Sequence, residues 1–204
     1  MAIIDVVSDV ICPWCFIGKR RLEKALALLG KQQTEVRWKP FQLNPNAPKE
    51  GMDRKQYRIR KFGSAATSQQ LEERVAAAVA AEGIHFRFDD ISRTPNTFDA
   101  HRLIWLAGET GQQDTLVEKL FQAYFLEGKD IGSPQVLSEV AGSIGLGAAE
   151  ILNGDEGGEA VAMEEENARR RGVNGVPSFF VDGSPLTSGA HPPELLAQML
   201  SPIL

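Results

Sequence analysis

The sequence predicts an α/β fold in which two short halves, β-α-β at the start and β-β-α at the end, close one sheet around a long helical insertion. Three observations predict it. First, an apolar run from Ala2 to Val7 hands over to a helical period with Leu22, Ala25, Leu26 and Leu29 at i, i+3, i+4 and i+7, and an alternating run then follows. Second, helical signals dominate from about Arg54 to Arg171. Third, strand and turn patterns resume near Val176 and end in an amphipathic helix. The expected division is 1–45 with 172–204 for the sheet domain and 46–171 for the insertion. Each half is too short to bury a core alone, so the two are expected to share one sheet.

Ala2 to Val7 reads as a strand covered on both faces, because such strands lose the polar alternation of a wet sheet. Pro13 suits the first turn of the helix that follows, where a missing N–H costs nothing. Lys19, Arg20, Arg21, Glu23 and Lys24 give that helix a wet face, and Gly30 ends it. Thr34 to Lys39 alternates, with Val36 and Trp38 on one face. A strand, a crossover helix and a second strand imply a parallel pair.

Leu43 to Pro48 is a loop by its Pro and Asn content. Thr67 and Gln70 stand at capping-box spacing ahead of Leu71, Val75, Ala78 and Val79. Gly83 to Phe88 alternates and reads as an extended piece that packs Phe86 and Phe88. Helices are expected over Thr97–Leu106 and Leu116–Phe125, and after the cap-and-proline pair Ser133-Pro134. Leu146 to Leu152 is a short helix at best, and Asp155 is a cap candidate for the next, through Val161 to Arg171. There Glu165 faces Arg169 and Glu166 faces Arg170, a spacing read as a solvated face. Val176 to Val181 is a proline-led strand, Asp182-Gly183 a tight turn, Pro185 to Ser188 an antiparallel return, and Pro192 to Leu200 the last helix.

A net charge of −5 argues against a general nucleic-acid binder. No run of about 18 apolar residues is present to span a membrane. Asp5 and Asp9 interrupt the N-terminal apolar run, which also lacks the early positive charge of a signal peptide. The expected compartment is the cytoplasm, where a pair of cysteines is more often catalytic than a structural staple.

Cys12 and Cys15 are the two cysteines of the chain, three apart, at the strand-to-helix junction. The N–H groups and dipole at a helix start favour negative charge, so the spacing favours a thiolate at Cys12 with Cys15 one turn inside. That arrangement suits dithiol–disulfide exchange. Zinc would need two further ligands, and His85, His101 and His191 lack the spacing to supply them. Two inert core cysteines are the blander reading, disfavoured by placement at a helix start. Downstream, Val176-Pro177 opens a strand. A cis bond there would bring the backbone of Val176 beside the cysteines, where an extended peptide can pair. A trans proline that merely starts the strand fits the spacing equally well.

Taken together, Ser8 to Lys19 with Cys12-Pro13-Trp14-Cys15, Pro95 to Leu103, Phe121 to Phe125, Gly172 to Pro177 and Ser188-Gly189-Ala190 resemble the DsbA-like branch of the thioredoxin superfamily, and its FrnE-like subgroup most closely. The resemblance covers nearly the whole chain. It implies a thioredoxin fold with an all-helical insertion, Cys12 and Cys15 as the catalytic pair, and a cis Pro177. It also implies a substrate-binding rim of Pro13, Trp14, Val176 and Pro177. Trp14 stands where DsbA itself carries a histidine, which removes one cation that would favour the thiolate. The resemblance implies a disulfide oxidoreductase with no metal or bound cofactor. Its expected partners are disulfide or dithiol proteins, glutathione as a candidate co-substrate and a second copy of the chain as a candidate dimer partner. Kappa-class glutathione transferases and 2-hydroxychromene-2-carboxylate isomerases share the Ala-His-Arg-Leu feature at residues 100–103, so glutathione-dependent transfer or isomerisation is the alternative. A redox-linked binding module or chaperone is the third reading. His101 is read as a packing residue that faces the site only in the less favoured case.

Overall fold

The structure, a computed structural model, describes residues 2–204. Strands β1 (Ile3–Ser8) and β2 (Glu35–Pro40) pair in parallel around helix α1 (Pro13–Leu28). Strands β5 (Ser178–Val181) and β6 (Ser184–Ser188) form an antiparallel hairpin, and β5 pairs antiparallel with β1. The sheet order is therefore β2-β1-β5-β6, with helix α9 (Pro193–Leu200) after the hairpin. Asp182 and Gly183, with φ of 47° and 77°, make the two-residue turn that the twist of a hairpin favours. The Asp182 side chain also accepts the Ile3 N–H at 2.9 Å, tying the hairpin to the start of β1.

Side-chain alternation divides the sheet. Ile4, Val6, Phe179 and Val181 face the main core, while Val7 and Phe180 face a second cluster with Phe41, Ala168 and Val173. Helix α8 (Gly158–Arg170) supplies Ala168 and so covers that second face.

The insertion carries α2 (Arg54–Phe62), α3 (Ala65–Ala80), α4 (Phe98–Glu109), α5 (Gln113–Phe125), α6 (Pro134–Gly142), α7 (Ala149–Asn153) and α8. A two-residue ribbon, β3 (Met52–Asp53) with β4 (Arg93–Thr94), interrupts the helices. The main core is continuous from β1 and α1 into α4, α5 and α6. Phe16 of α1 stacks on Phe121 of α5 at 4.9 Å between ring centroids, and Phe121 meets Trp38 of β2 edge-on at 6.4 Å. The insertion is thus packed into the sheet domain through aromatic rings.

Four sequence expectations change. The α3 start lies at Ser64, whose hydroxyl accepts the Thr67 N–H at 3.0 Å, because Gly63 at φ 87° ends α2 and places Ser64 at the cap. Asp155 does not cap α8, which begins after Gly157 at φ 74°. The wet face of α1 is breached by Lys19, only 3% exposed, whose ammonium reaches Glu23 and, on α5, Asp114 at 3.0 Å and Glu118 at 3.6 Å. The solvated face of α8 is breached by Glu165, buried because it accepts the Gln42 N–H at 3.0 Å as well as the Arg169 guanidinium at 2.6 Å. Phe86 packs as expected, stacked on Phe125 at 4.5 Å, although its segment joins no sheet and Phe88 opens a short 3-10 turn.

Candidate functional site

Chain geometry makes Cys12 the N-cap of α1, with extended φ and ψ of −88° and 113°, and Pro13 starts the helix. The Cys12 carbonyl accepts the Cys15 N–H at 3.0 Å, and the Cys12 N–H donates to the Asp9 carbonyl at 2.9 Å. An N-cap side chain lies beside the unpaired N–H groups of the first turn, and α1 has no acidic residue in that turn to compete for them. The local geometry therefore offers the positive end of the helix to the Cys12 sulfur.

Both thiols are free. Cys12 is 5% exposed and Cys15 is fully buried, so the pair is open to solvent from the Cys12 side only. Trp14 stands out at 39% exposed and Pro13 is half-buried. Burial pushes the Cys15 thiol well above the ordinary thiol range, and its hydrogen bond to Cys12 adds to the effect. The Asp9 backbone N–H acts in the opposite sense. Cys15 therefore rests as a neutral thiol beside Cys12.

The downstream proline loop reaches the same place. The Val176–Pro177 bond is cis, and the Cys12 thiol donates to the Val176 carbonyl at 3.6 Å across 164 residues of sequence. Val176 is half-buried and Pro177 buried. The loop is held from behind: Gly189 N–H donates to the Pro177 carbonyl at 2.8 Å, and the Ser178 hydroxyl donates to the Gly175 carbonyl at 2.8 Å. All six residues singled out from the sequence, Cys12, Pro13, Trp14, Cys15, Val176 and Pro177, thus lie at one junction between the α1 start and the β5 entry.

Sequence reasoning missed Gly18. A Cβ on Gly18 would sit 2.8 Å from Pro177 Cγ, and 3.6 Å from the Phe179 ring. A glycine inside a helix costs about 1 kcal/mol relative to alanine, and that cost was the available signal. Gly18 keeps α1 close to the proline loop. Gly18→Ala is expected to displace that loop from Cys12 and to destabilise the fold by about 1–3 kcal/mol. Urea unfolding, with the rate of disulfide exchange measured alongside, checks this. An alanine variant with unchanged rate and stability would disprove the close-packing role.

The DSBA-like thioredoxin domain family matches residues 3–201. The chain belongs to that family. A probable DsbA oxidoreductase from Streptomyces coelicolor superposes with a TM-score of 0.90 at 32% identity, covering 99% of this chain and 89% of that one. The uncharacterized protein YwbO of Bacillus subtilis is 27% identical over 205 residues, 97% of this chain and 95% of its own length. The cytosolic disulfide reductase DsbM from Pseudomonas aeruginosa, in a structure with glutathione, shares the fold at 22% identity and a TM-score of 0.59, over 87% of this chain and 84% of that one. This DSBA-like chain has no helix, among the described residues, long and apolar enough to cross a membrane.

Proposed function

We propose that this DSBA-like protein is a thiol–disulfide oxidoreductase that works through Cys12 and Cys15 on protein or low-molecular-weight disulfides. The observation that carries the reading is the Cys12 thiol at the α1 N-cap, 3.6 Å from the Val176 carbonyl, with Cys15 buried behind it. In the reducing direction the Cys12 thiolate attacks one substrate sulfur. The substrate S–S bond breaks, one substrate thiolate leaves, and the other half stays joined to Cys12. The Cys15 thiolate then attacks the Cys12 sulfur. The mixed disulfide breaks, the second substrate thiolate leaves, and the Cys12–Cys15 bond forms. Two electrons have passed from the dithiol to the substrate, and the same steps reversed oxidise a dithiol.

The backbone of Val176 lies outside any ladder pairing and serves as the strip on which an extended substrate segment is laid, with Pro13, Trp14 and Pro177 as its walls. Glutathione is both a short peptide and a thiol and suits the same strip. The working compartment is the cytoplasm, where a reducing pool would return the pair to its dithiol form. Cys12→Ser is expected to reduce turnover of insulin and of glutathione-linked disulfides to the uncatalysed background, with the fold intact by circular dichroism. Retained turnover would end this reading.

A further inference from the structure

Helix α3 of the insertion runs alongside α1 in the same direction. Ile17 of α1 packs against Val75 and Val79 of α3. One turn further along α1, Arg21 donates to Glu82, just past the end of α3, at 2.7 Å. Lys24 reaches the other oxygen of that carboxylate at 2.6 Å. Both helices rise by about 1.5 Å per residue, so the pairing also holds toward their starts. Pro13 and Trp14, one turn before Ile17, stand level with Leu71 and Arg74, one turn before Val75 and Ala78.

Rotation decides which of these side chains lie toward the dithiol. A helix turns by about 100° per residue, so Trp14 lies between the α1 stripe at Ile17, which meets α3, and the stripe at Gly18, which meets Pro177. On α3, Leu71 and Arg74 share a stripe with Ala78, which packs on the Ile17 cluster as does Ala190 of the loop after β6. The Arg21 guanidinium donates to the Ala190 carbonyl at 2.6 Å and fixes that loop on the same side of the helix pair. Trp14, Leu71 and Arg74 therefore border one cleft, at the level of Cys12 and continuous with the Val176–Pro177 strip.

The cleft is left open in a way that packing does not explain. Trp14 is largely out of the core, and Leu71 is half-buried without joining any core cluster among the described residues. The acids of α3 are engaged elsewhere: Glu72 holds Arg54 and Arg58, and Glu73 accepts from Gln69. Glu82 is held by Arg21 and Lys24. Arg74 is exposed and joins no hydrogen bond or ion pair among the described residues, an uncompensated cation on a chain of net charge −5. A solvated helix face accounts for Arg74 alone. It does not account for an open tryptophan and leucine on the same side, level with the reactive thiol.

We propose that the cleft between α1 and α3 is a specificity subsite of the exchange reaction, and that Arg74 selects peptide and protein disulfides with an acidic residue beside the cysteine. The inference rests on the exchange reading given above. An apolar side chain next to the substrate cysteine lies between Trp14 and Leu71, and a neighbouring carboxylate meets the guanidinium. Arg74 acts through charge on encounter and binding, so its effect is screened by salt.

Two peptides test this, Gly-Leu-Cys-Asp-Gly and Gly-Leu-Cys-Lys-Gly, each capped on sulfur with thionitrobenzoate. Release of the chromophore by the reduced protein, at subsaturating peptide, gives the two rates. At low ionic strength the acidic peptide is expected to react about 10-fold faster than the basic one. That ratio is expected to shrink to about 2 in 0.5 M salt. In Arg74→Glu the preference is expected to invert. Lys31→Glu makes the same change in net charge beyond the far end of α1, and is expected to keep the wild-type ratio within about twofold. A wild-type ratio near one overturns the assignment. So does a ratio that Arg74→Glu leaves in place, or one that Lys31→Glu shifts as far. Circular dichroism checks the fold, and should Arg74→Glu not fold, Arg74→Gln decides, with a ratio near one expected. No chromophore released from either peptide by the wild-type protein would instead defeat the exchange reading itself.

Discussion

Cys15→Ser should turn the protein into a trap. With the second thiol gone, Cys12 can still attack a substrate disulfide, but nothing inside the protein can release the product. Cys15 is fully buried behind Cys12, and the turn that holds it, with its N–H on the Cys12 carbonyl at 3.0 Å, does not depend on its sulfur. Serine fits the same space and keeps a short polar side chain. We expect a covalent adduct with glutathione or with a protein disulfide, visible as the mass of one substrate half on an intact-protein spectrum and removed by dithiothreitol. Turnover should fall to the rate at which external thiol attacks the adduct. Full turnover of a non-disulfide electrophile by this variant would sink the two-cysteine scheme and favour glutathione-dependent transfer or isomerisation.

The largest loss of stability is expected at Phe121. Its ring is fully buried, stacked on Phe16 at 4.9 Å, edge-on to Trp38 at 6.4 Å, and 6.3 Å from Phe125. One side chain of α5 therefore bridges α1 and β2, joining the insertion to the sheet. Phe121→Ala removes that bridge and leaves a cavity between units that relax poorly, at a cost of about 4 kcal/mol. For a chain of this length that lowers Tm by on the order of 10 °C. Guanidinium unfolding monitored by tryptophan fluorescence measures it. A loss below about 1 kcal/mol would show that the two parts are held together elsewhere.

Features that depend on neighbours in sequence were legible, and those that depend on distant partners were not. The Cys12 site needed only an apolar strand, a proline at the first helical turn and a helical period, all within some thirty residues. The final hairpin announced itself through Asp182-Gly183, since those residue types tolerate the positive φ that the turn requires. Lys19 misled because a lysine is ordinarily a surface residue. Asp114 and Glu118, about a hundred positions away, are what make its burial tolerable. Glu165 misled for the same reason, since its partner is a backbone N–H in the loop after β2. The proline loop was legible as a motif, yet spacing alone left its isomer open, and the contact between Gly18 and Pro177 spans 159 positions, as 177 minus 18 shows. His101 was visible as a residue type, but its approach to Asp9 exists only once α4 has docked against the site.

The order of the strands bears on how the chain is made. β1 lies between β2 and β5 in the sheet, and the partner it meets last is encoded more than 160 residues downstream. During synthesis the N-terminal strand and its two thiols leave the ribosome early and wait, one sheet edge open, until the β5–β6 hairpin emerges. Throughout that interval the sulfurs have no Val176 carbonyl beside them. The nascent chain is therefore at its most vulnerable to mispairing and stray oxidation before the hairpin that covers the open edge of β1 is in place.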